Sequence, residues 1–190
     1  MLKTIESKNS EQYIKELSRK NNEPEWLLNK RLGAYNIFKS MPMPNFIYGL
    51  NINMNIELDL DLIDVSKAAK SNLKIINNAR KSSISGTKSV GNEKIIIEDF
   101  NGMLKNHESI LRDKLMSIVD ANEKFTAFHN AFLDNLTFVY VPKNTVAKEP
   151  IELASVVGSN AVFDHLIVLV EDNSKVTLVE DSKSNNEEYN

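Results

Sequence analysis

Three histidines are the first residues to test for chemistry, because imidazole serves as a metal ligand and as a general acid or base. His107, His129 and His165 lie far apart and do not form an HxxxH or HExxH spacing. We predict that His107 is solvated, that His129 packs beside a phenylalanine stripe and that His165 begins a strand. The sequence therefore predicts no catalytic, cofactor-binding or metal-binding residue in this chain.

An acidic strip is the second candidate, since Mg²⁺ and Ca²⁺ require several carboxylate oxygens. Asp59, Asp61 and Asp64 supply these, but they lie in or just after the segment from Ile56 to Leu62, where apolar and acidic residues alternate. Such alternation indicates a strand with one covered face. We therefore favour the interpretation that the acids form its solvent face.

The composition excludes several classes of protein. The 190 residues contain no cysteine, which excludes disulfides, thiolate nucleophiles and cysteine-ligated zinc or iron–sulfur sites within the chain. A net charge of −3 argues against a nucleic-acid footprint, which needs a clustered basic excess. The sequence has no apolar run of about 18 residues and no apolar segment of a secretory signal near its start, so we expect a cytoplasmic protein that crosses no membrane.

Two helices are predicted near the start of the chain. The first spans Ser10 to Lys20, with Ser10 as its N-cap. The second spans 24–39, with Pro24 in the first turn and an apolar face at helical spacing, and it ends before the prolines that follow Ser40. Trp26 in its first turn either packs on its own domain or, if exposed, contacts a partner.

The middle of the chain combines irregular and helical patterns. Residues 66–92 are rich in Lys, Ser, Asn and Gly and predict a mobile linker. The run Ile95–Ile97 predicts a strand. Two helices should follow, the first over 107–119 and the second beginning at Asp120, with Glu123 as its reciprocal capping partner.

The last third of the sequence predicts strands separated by polar turns. Their expected bounds are 137–141, 151–157, 162–170 and 175–179. The segment beginning at Phe138 resembles the segment beginning at Ile167, with an offset of 29 residues and one insertion. Stacked copies of a strand, a polar corner and a second strand are typical of a β-solenoid.

Four sequence blocks resemble the SufB/SufD family of iron–sulfur cluster assembly scaffold proteins. The most specific is Glu23-Pro24-Glu25-Trp26 with the trailing Arg31-Leu32, Ala34 and Phe38, which resembles the family signature EPEWxxxxRLxAxxxF. The other three are residues 95–100, 122–132 and 138–143, which resemble the family's "gvifxdl", "nkFaaLnaAf" and "vfVYVPkg" blocks. The blocks come in the family's order and span about residues 22 to 180.

The resemblance implies an α+β fold. Its expected parts are a helical N-terminal region with short strands over 1–135, the first coils of a right-handed parallel β-helix over 136–181, and a polar tail over 182–190. It also implies a non-catalytic role as the N-terminal region of a scaffold subunit. The family's cluster-related residues lie later than this chain extends, so no functional residue is carried over and no cofactor is expected here.

The resemblance implies partners as well. These are a SufB/SufD-type paralogue and a SufC-type ABC ATPase in the full-length protein, with an apo-protein or a sulfur donor as further candidates. Met41-Pro42-Met43-Pro44 looks more like the loop of the D type than of the B type. Two alternatives remain open: a stand-alone interaction domain that places helix 24–39 in a partner's groove, and, ranked lower, a polysaccharide-active β-solenoid.

Overall fold

The computed structural model describes residues 10–44, 46–48, 52–54, 74–77, 80–83, 88–90, 94–157 and 162–184. The helices in these ranges are α1 (Glu11–Lys20), α2 (Glu25–Ser40), α3 (Phe100–Asn106), α4 (Glu108–Lys114) and α5 (Lys124–Phe132). The strands are β1 (Phe46–Tyr48), β2 (Ile52–Met54), β3 (Lys74–Asn77), β4 (Arg80–Ser83), β5 (Lys88–Val90), β6 (Ile95–Asp99), β7 (Asn135–Val141), β8 (Ile151–Val157), β9 (Asp164–Val170) and β10 (Leu178–Ser184). No helix in the described ranges is long and apolar enough to cross a membrane.

The chain divides into two compact units, and each is built from two separate segments. The first, called here the helical unit, comprises Met1–Lys67 and Met116–Phe132; the second, called the sheet unit, comprises Ala68–Leu115 and Leu133–Asn190. The helical unit contains α1, α2, α5 and the β1–β2 hairpin. The sheet unit contains the other strands with α3 and α4.

The two predicted N-terminal helices are confirmed. The Ser10 side chain accepts a hydrogen bond from the Tyr13 amide at 3.2 Å, so it satisfies one of the amides that every helix leaves unpaired at its start. α2 begins one residue after Pro24, which is its N-cap rather than its first helical residue. It ends at Ser40, where the following prolines require extended backbone.

An aromatic cluster forms the core of the helical unit. Phe128 of α5 lies between Phe38 and Phe132, with ring centroids 4.8 Å and 5.0 Å away. Tyr35 meets Phe132 edge-on at 6.1 Å, an arrangement that aromatic quadrupoles favour. The phenylalanine stripe predicted on α5 thus includes Phe128 and Phe132, which complete this core.

The helices of the middle region differ from the prediction. The single helix predicted over 107–119 is wrong: α3 begins seven residues earlier, where the Asp99 carboxylate accepts from the Gly102 amide at 2.7 Å. His107 has φ −140° and separates α3 from α4. Met116 has φ 60° just after α4 ends, and α5 begins at Lys124 rather than at Asp120.

Two four-stranded sheets form the sheet unit, with strand orders β5-β6-β7-β9 and β10-β8-β3-β4. Apolar residues from both sheets share one core, with Ile95, Ile97, Val139, Val141, Ile151 and Leu153 fully or almost fully buried. Strands β3, β4 and β5 lie inside the 66–92 stretch, so the prediction of irregular chain is wrong for them. The remaining residues of that stretch, and the strand predicted over Ile56–Leu62, lie outside the described residues.

The predicted 29-residue repeat is present in the strand pairing. β9 runs parallel to β7 with Asn135 opposite Asp164 and Val141 opposite Val170, an offset of 29 residues. β10 runs parallel to β8, and it continues to Ser184, past the predicted start of the polar tail at 182. We call residues 135–157 the inner repeat and residues 162–184 the outer repeat.

The corners of the two repeats stack on each other. Asn144 and Asn173 have φ 59° and 58°, a left-handed conformation that asparagine tolerates better than most residues. The Asn173 side-chain amide donates to the Asn144 side-chain oxygen at 3.2 Å. Ser174 fixes the corner further, because its hydroxyl accepts from the Thr145 amide at 3.0 Å and donates to the Pro142 carbonyl at 2.6 Å.

The predicted right-handed parallel β-helix is wrong. Within the described residues only β7–β9 and β8–β10 are parallel strand pairs, and no closed solenoid is formed. The reason lies on the other side of the inner repeat, where β7 pairs antiparallel with β6 and β8 pairs antiparallel with β3. The fold is α+β, with mixed sheets.

Candidate functional site

The charged residues of the EPEW signature form a buried ion pair in the helical unit. The Arg31 guanidinium donates from Nε to Glu23 Oε2 and from Nη2 to Glu23 Oε1, each at 2.8 Å. Both side chains are completely shielded from solvent. This two-point geometry requires the planar fork of arginine, which lysine does not reproduce.

Further hydrogen bonds extend this pair to α5. Arg31 Nη1 donates to the Ala131 carbonyl at 3.3 Å, in the last turn of α5, where carbonyls have no partner within their own helix. The Asn21 side-chain amide donates to Glu23 Oε1 at 3.4 Å. Arg31 therefore links the EPEW signature at the start of α2 to α5, which lies in the family-like block at residues 122–132.

Lys124 makes the corresponding contact at the other end of α2. Its ammonium donates to the carbonyls of Phe38 and Met41 at 3.0 and 2.8 Å, and it lies 4.6 Å from the centre of the Phe38 ring. A cation at a helix C-terminus is favoured by the helix dipole. Arg31 and Lys124 together fix α2 against α5.

Trp26 lies on a different face of α2. Its side chain is half-buried, and Lys30 Nζ lies 6.0 Å from the centre of the ring. Gly33 and Ile37 continue the same face at helical spacing, and a Cβ added at Gly33 would meet nothing within 4 Å. The indole is thus partly packed and partly accessible, so both interpretations of Trp26 remain predictions.

The histidines lie in three separate surroundings. His107 was predicted to be solvated, but its side chain is 30% exposed and its Nε2 lies 3.5 Å from Oε2 of Glu98, whose carboxylate is fully buried and accepts from Asn106 at 3.1 Å. His129 is half-buried on α5, and His165 is the second residue of β9. In the described ranges no three His, Asp or Glu side chains lie close enough to hold a metal ion. The acidic strip at Asp59–Asp64 lies outside those ranges.

His165 gives a test in pH. Burial lowers its pKa below the ordinary value, so the unfolded chain takes up a proton before the folded one does. This contribution to stability is complete above about pH 6.5 and is lost as the pH falls through the folded pKa. We expect the free energy of unfolding to fall less between pH 7.5 and 5.5 in His165→Asn than in the wild type, as measured by urea unfolding followed by circular dichroism. If the free energy of unfolding falls equally in His165→Asn and the wild type, the lowered pKa assigned to His165 is contradicted.

Glu23 and Arg31 were predicted as parts of the signature but not as a pair, and no role was predicted for Lys124 or Glu98. The Glu23–Arg31 pair could have been predicted from one signal, an acidic residue just before a helix and an arginine within that helix. No such signal exists for Lys124, because its acceptors are backbone carbonyls more than 80 residues away in sequence.

Comparison with curated proteins finds similarity to SufBD iron–sulfur cluster assembly proteins, the class that the sequence blocks on α2 and α5 also resemble. No family model matches the chain. Among curated proteins, it is 27% identical over 193 residues to the iron–sulfur cluster assembly protein SufD of Bacillus subtilis, covering 90% of this chain and 44% of that protein. It is 24% identical over 200 residues to SufBD family proteins of Staphylococcus haemolyticus and Staphylococcus epidermidis, covering 43% of each.

These matches confirm the resemblance predicted from the motifs, because they cover nine tenths of this chain. The chain spans less than half the length of the curated relatives it matches.

Proposed function

We propose that this chain acts in iron–sulfur cluster assembly as the non-catalytic N-terminal region of a SufB/SufD-type scaffold subunit. The observation that carries the proposal is the similarity to SufD and SufBD family proteins over 90% of the chain. The buried Glu23–Arg31 pair supports it, since it gives the most specific part of the signature a structural role.

In this role, the cluster chemistry belongs to other residues or subunits. Iron–sulfur clusters are held mainly by cysteine thiolates, and this chain has none. Its own task is then to supply a helical unit and a pair of stacked β repeats, without a bound cofactor and without turnover. The proposed partners are a SufB/SufD-type paralogue and a SufC-type ABC ATPase, in the cytoplasm, with an apo-protein or a sulfur donor as a further contact.

A chimaera tests this function directly. In Bacillus subtilis, the segment of SufD that this chain matches is replaced by this chain, and the activity of a cluster-dependent enzyme such as aconitase is measured in extracts. We expect activity well above that of a strain whose SufD lacks the segment. A chimaera with Arg31→Met serves as the control and should fall toward the deletion strain. An intact chimaera no better than the deletion would contradict the proposal.

A stand-alone interaction domain is the second candidate. It is favoured by the face of α2 that carries Trp26, Lys30 and Gly33, where the open space beside Gly33 leaves room for a partner's backbone. A glycine in a helix interior costs about 1 kcal/mol relative to alanine, so its presence there is consistent with a close approach.

Trp26→Ala distinguishes this candidate. If α2 docks in a groove, the tryptophan is the expected hot spot, and its removal should weaken capture of the bound protein about 10-fold or more. Asn36→Ala, an exposed residue elsewhere on α2, is the matched control and should bind as the wild type does. The measurement is a quantitative pull-down from cell extract, with circular dichroism to verify folding. Equal capture by Trp26→Ala and the control would remove the candidate.

A further inference from the structure

The sequence contains one Asn-Gly pair, Asn101-Gly102, and this pair lies in α3. In such a pair the backbone nitrogen of the glycine is able to attack the side-chain carbonyl carbon of the asparagine. Glycine has no side chain to hinder the approach, so the attack is easier in Asn-Gly than before any larger residue. Neither the proposed scaffold role nor the contacts of α2 involve this pair.

The reaction is deamidation, and it proceeds in two steps. In the first step the nitrogen of Gly102 forms a bond to Cγ of Asn101, and the bond from Cγ to the side-chain nitrogen breaks. The amide proton ends on the departing nitrogen, which leaves as ammonia. In the second step water opens the cyclic imide at either carbonyl, which gives aspartate or isoaspartate. No electrons are transferred, and water is the only co-reactant.

The conformation of α3 opposes the first step. A helical residue has ψ near −42°, and ring closure requires the bond between Cα and the carbonyl carbon of Asn101 to rotate away from that value. The attacking nitrogen is also engaged, because the Gly102 amide donates to the Asp99 carboxylate at 2.7 Å. The Asn101 side chain is exposed, so water reaches it when the helix opens.

Packing explains why glycine occupies position 102 in spite of this reactivity. Gly102 is buried, and a Cβ added there would lie 3.2 Å from Asp99 Oδ1 and 3.4 Å from Cβ and Cδ of Glu98. The Glu98 carboxylate has little freedom to move, because it is fully buried and accepts from Asn106 at 3.1 Å. The close approach of α3 to the end of β6 thus requires the residue that makes Asn101 reactive.

We propose that Asn101 is a site of spontaneous deamidation that folding suppresses, and that Asp99 is the positioning residue responsible. The reaction proceeds from those molecules in which α3 is locally open, so its rate is proportional to the open fraction. Loss of an N-cap destabilises a helix enough to raise that fraction about 5-fold.

Deamidation also removes the protection that precedes it. Isoaspartate at position 101 adds one carbon atom to the backbone between Asp99 and Gly102, so the amide and the carboxylate no longer meet in helical register. Either product adds a negative charge two positions after Asp99. We expect the deamidated chain, separated by anion exchange, to show weaker hydrogen-exchange protection in α3 than the unmodified chain.

Peptide mapping by mass spectrometry tests the site. The full chain is incubated at pH 7.4 and 37 °C, with a synthetic peptide of residues 96–106 and the urea-unfolded chain as references. We expect Asn101 to deamidate in both references and at least 10-fold more slowly in the folded chain. In folded Asp99→Ala the rate should rise about 5-fold above that of the wild type.

The controls separate the cap from a general loss of stability. Asp99→Ser keeps an oxygen that accepts from the Gly102 amide, so it should react at nearly the wild-type rate. Ser10→Ala removes the corresponding cap of α1 and is the matched control, which should leave the rate at Asn101 unchanged. Asp99→Thr, a weaker cap, should react at an intermediate rate, and it replaces Asp99→Ala in the test if that variant does not fold.

Three results would overturn the proposal. The first is a folded chain that deamidates at Asn101 as fast as the peptide does. The second is an unfolded chain that does not react at this residue. The third is a rate in the Asp99 variant with the removed or weakened cap that is no higher than the rate in Ser10→Ala.

Discussion

Replacing Arg31 with methionine is expected to lower the free energy of unfolding of the helical unit by about 3–5 kcal/mol, because the substitution leaves Glu23 buried without its charge partner. Two charge-assisted hydrogen bonds and the bond to the Ala131 carbonyl are lost together. The measurement is urea unfolding followed by the fluorescence of Trp26. It is the only tryptophan of the chain and lies in the helical unit.

Two further variants distinguish the loss of stability caused by breaking the Glu23–Arg31 pair from a general effect of removing an arginine. Arg19→Met, at an exposed position at the end of α1, should change stability by less than about 0.5 kcal/mol. Glu23→Gln/Arg31→Met should be less destabilised than the sum of the two single changes, since no unpaired charge remains. A loss below 1 kcal/mol for Arg31→Met would show that the pair does not hold α2 against α5.

Phe132→Ala is expected to cost about 3–5 kcal/mol, the range for removing a fully buried aromatic side chain. Phe132 contacts Phe128, Tyr35 and Tyr13, so the cavity would open at the centre of the aromatic cluster. The same fluorescence-detected urea unfolding measures the loss.

Phe125→Ala is the matched control for this prediction, because Phe125 lies on the same helix but is only partly buried. Its cost should be clearly smaller, since the cavity term is reduced where solvent already reaches the side chain. Equal losses for Phe125→Ala and Phe132→Ala would contradict the burial described for α5.

The sequence predicts those elements whose signals are local. Ser10 marks the start of α1, and the prolines after Ser40 end α2, because capping and proline geometry act within a few residues. The alternation and turn residues near Asn144 and Asn173 likewise locate β7 and β9. Helix α3 was missed because its cap, Asp99, follows directly on a strand without a break in the pattern.

Strands β3, β4 and β5 were missed for a different reason. β4 consists of Arg80, Lys81, Ser82 and Ser83, which has neither β-branched residues nor apolar alternation. Its place in the sheet depends on pairing with β3, which in turn pairs with β8, about 80 residues away in sequence. Pairing over such distances is not encoded in local periodicity. The same long-range pairing explains why the predicted solenoid was wrong, although the repeat from which it was predicted is present.

In the candidate site, too, local features are predictable from the sequence, whereas contacts between distant segments are not. The signature contains Glu23 and Arg31, but an eight-residue separation follows no helical neighbour rule, because Glu23 precedes the helix. Only the turn at Pro24 brings the two side chains together. The contact of Lys124 with the end of α2 depends wholly on how α5 packs, and no property of residue 124 alone predicts it.

The open space at Gly33 has a practical consequence for spectroscopy. A Gly33→Cys substitution would introduce the sole cysteine of the chain, at a position where an added side chain meets nothing within 4 Å. Residue 33 lies seven positions after Trp26 in the helix, about 10 Å along the axis. A maleimide quencher attached there would report the winding and fraying of α2 through the emission of the neighbouring indole, without a second label anywhere else in the protein.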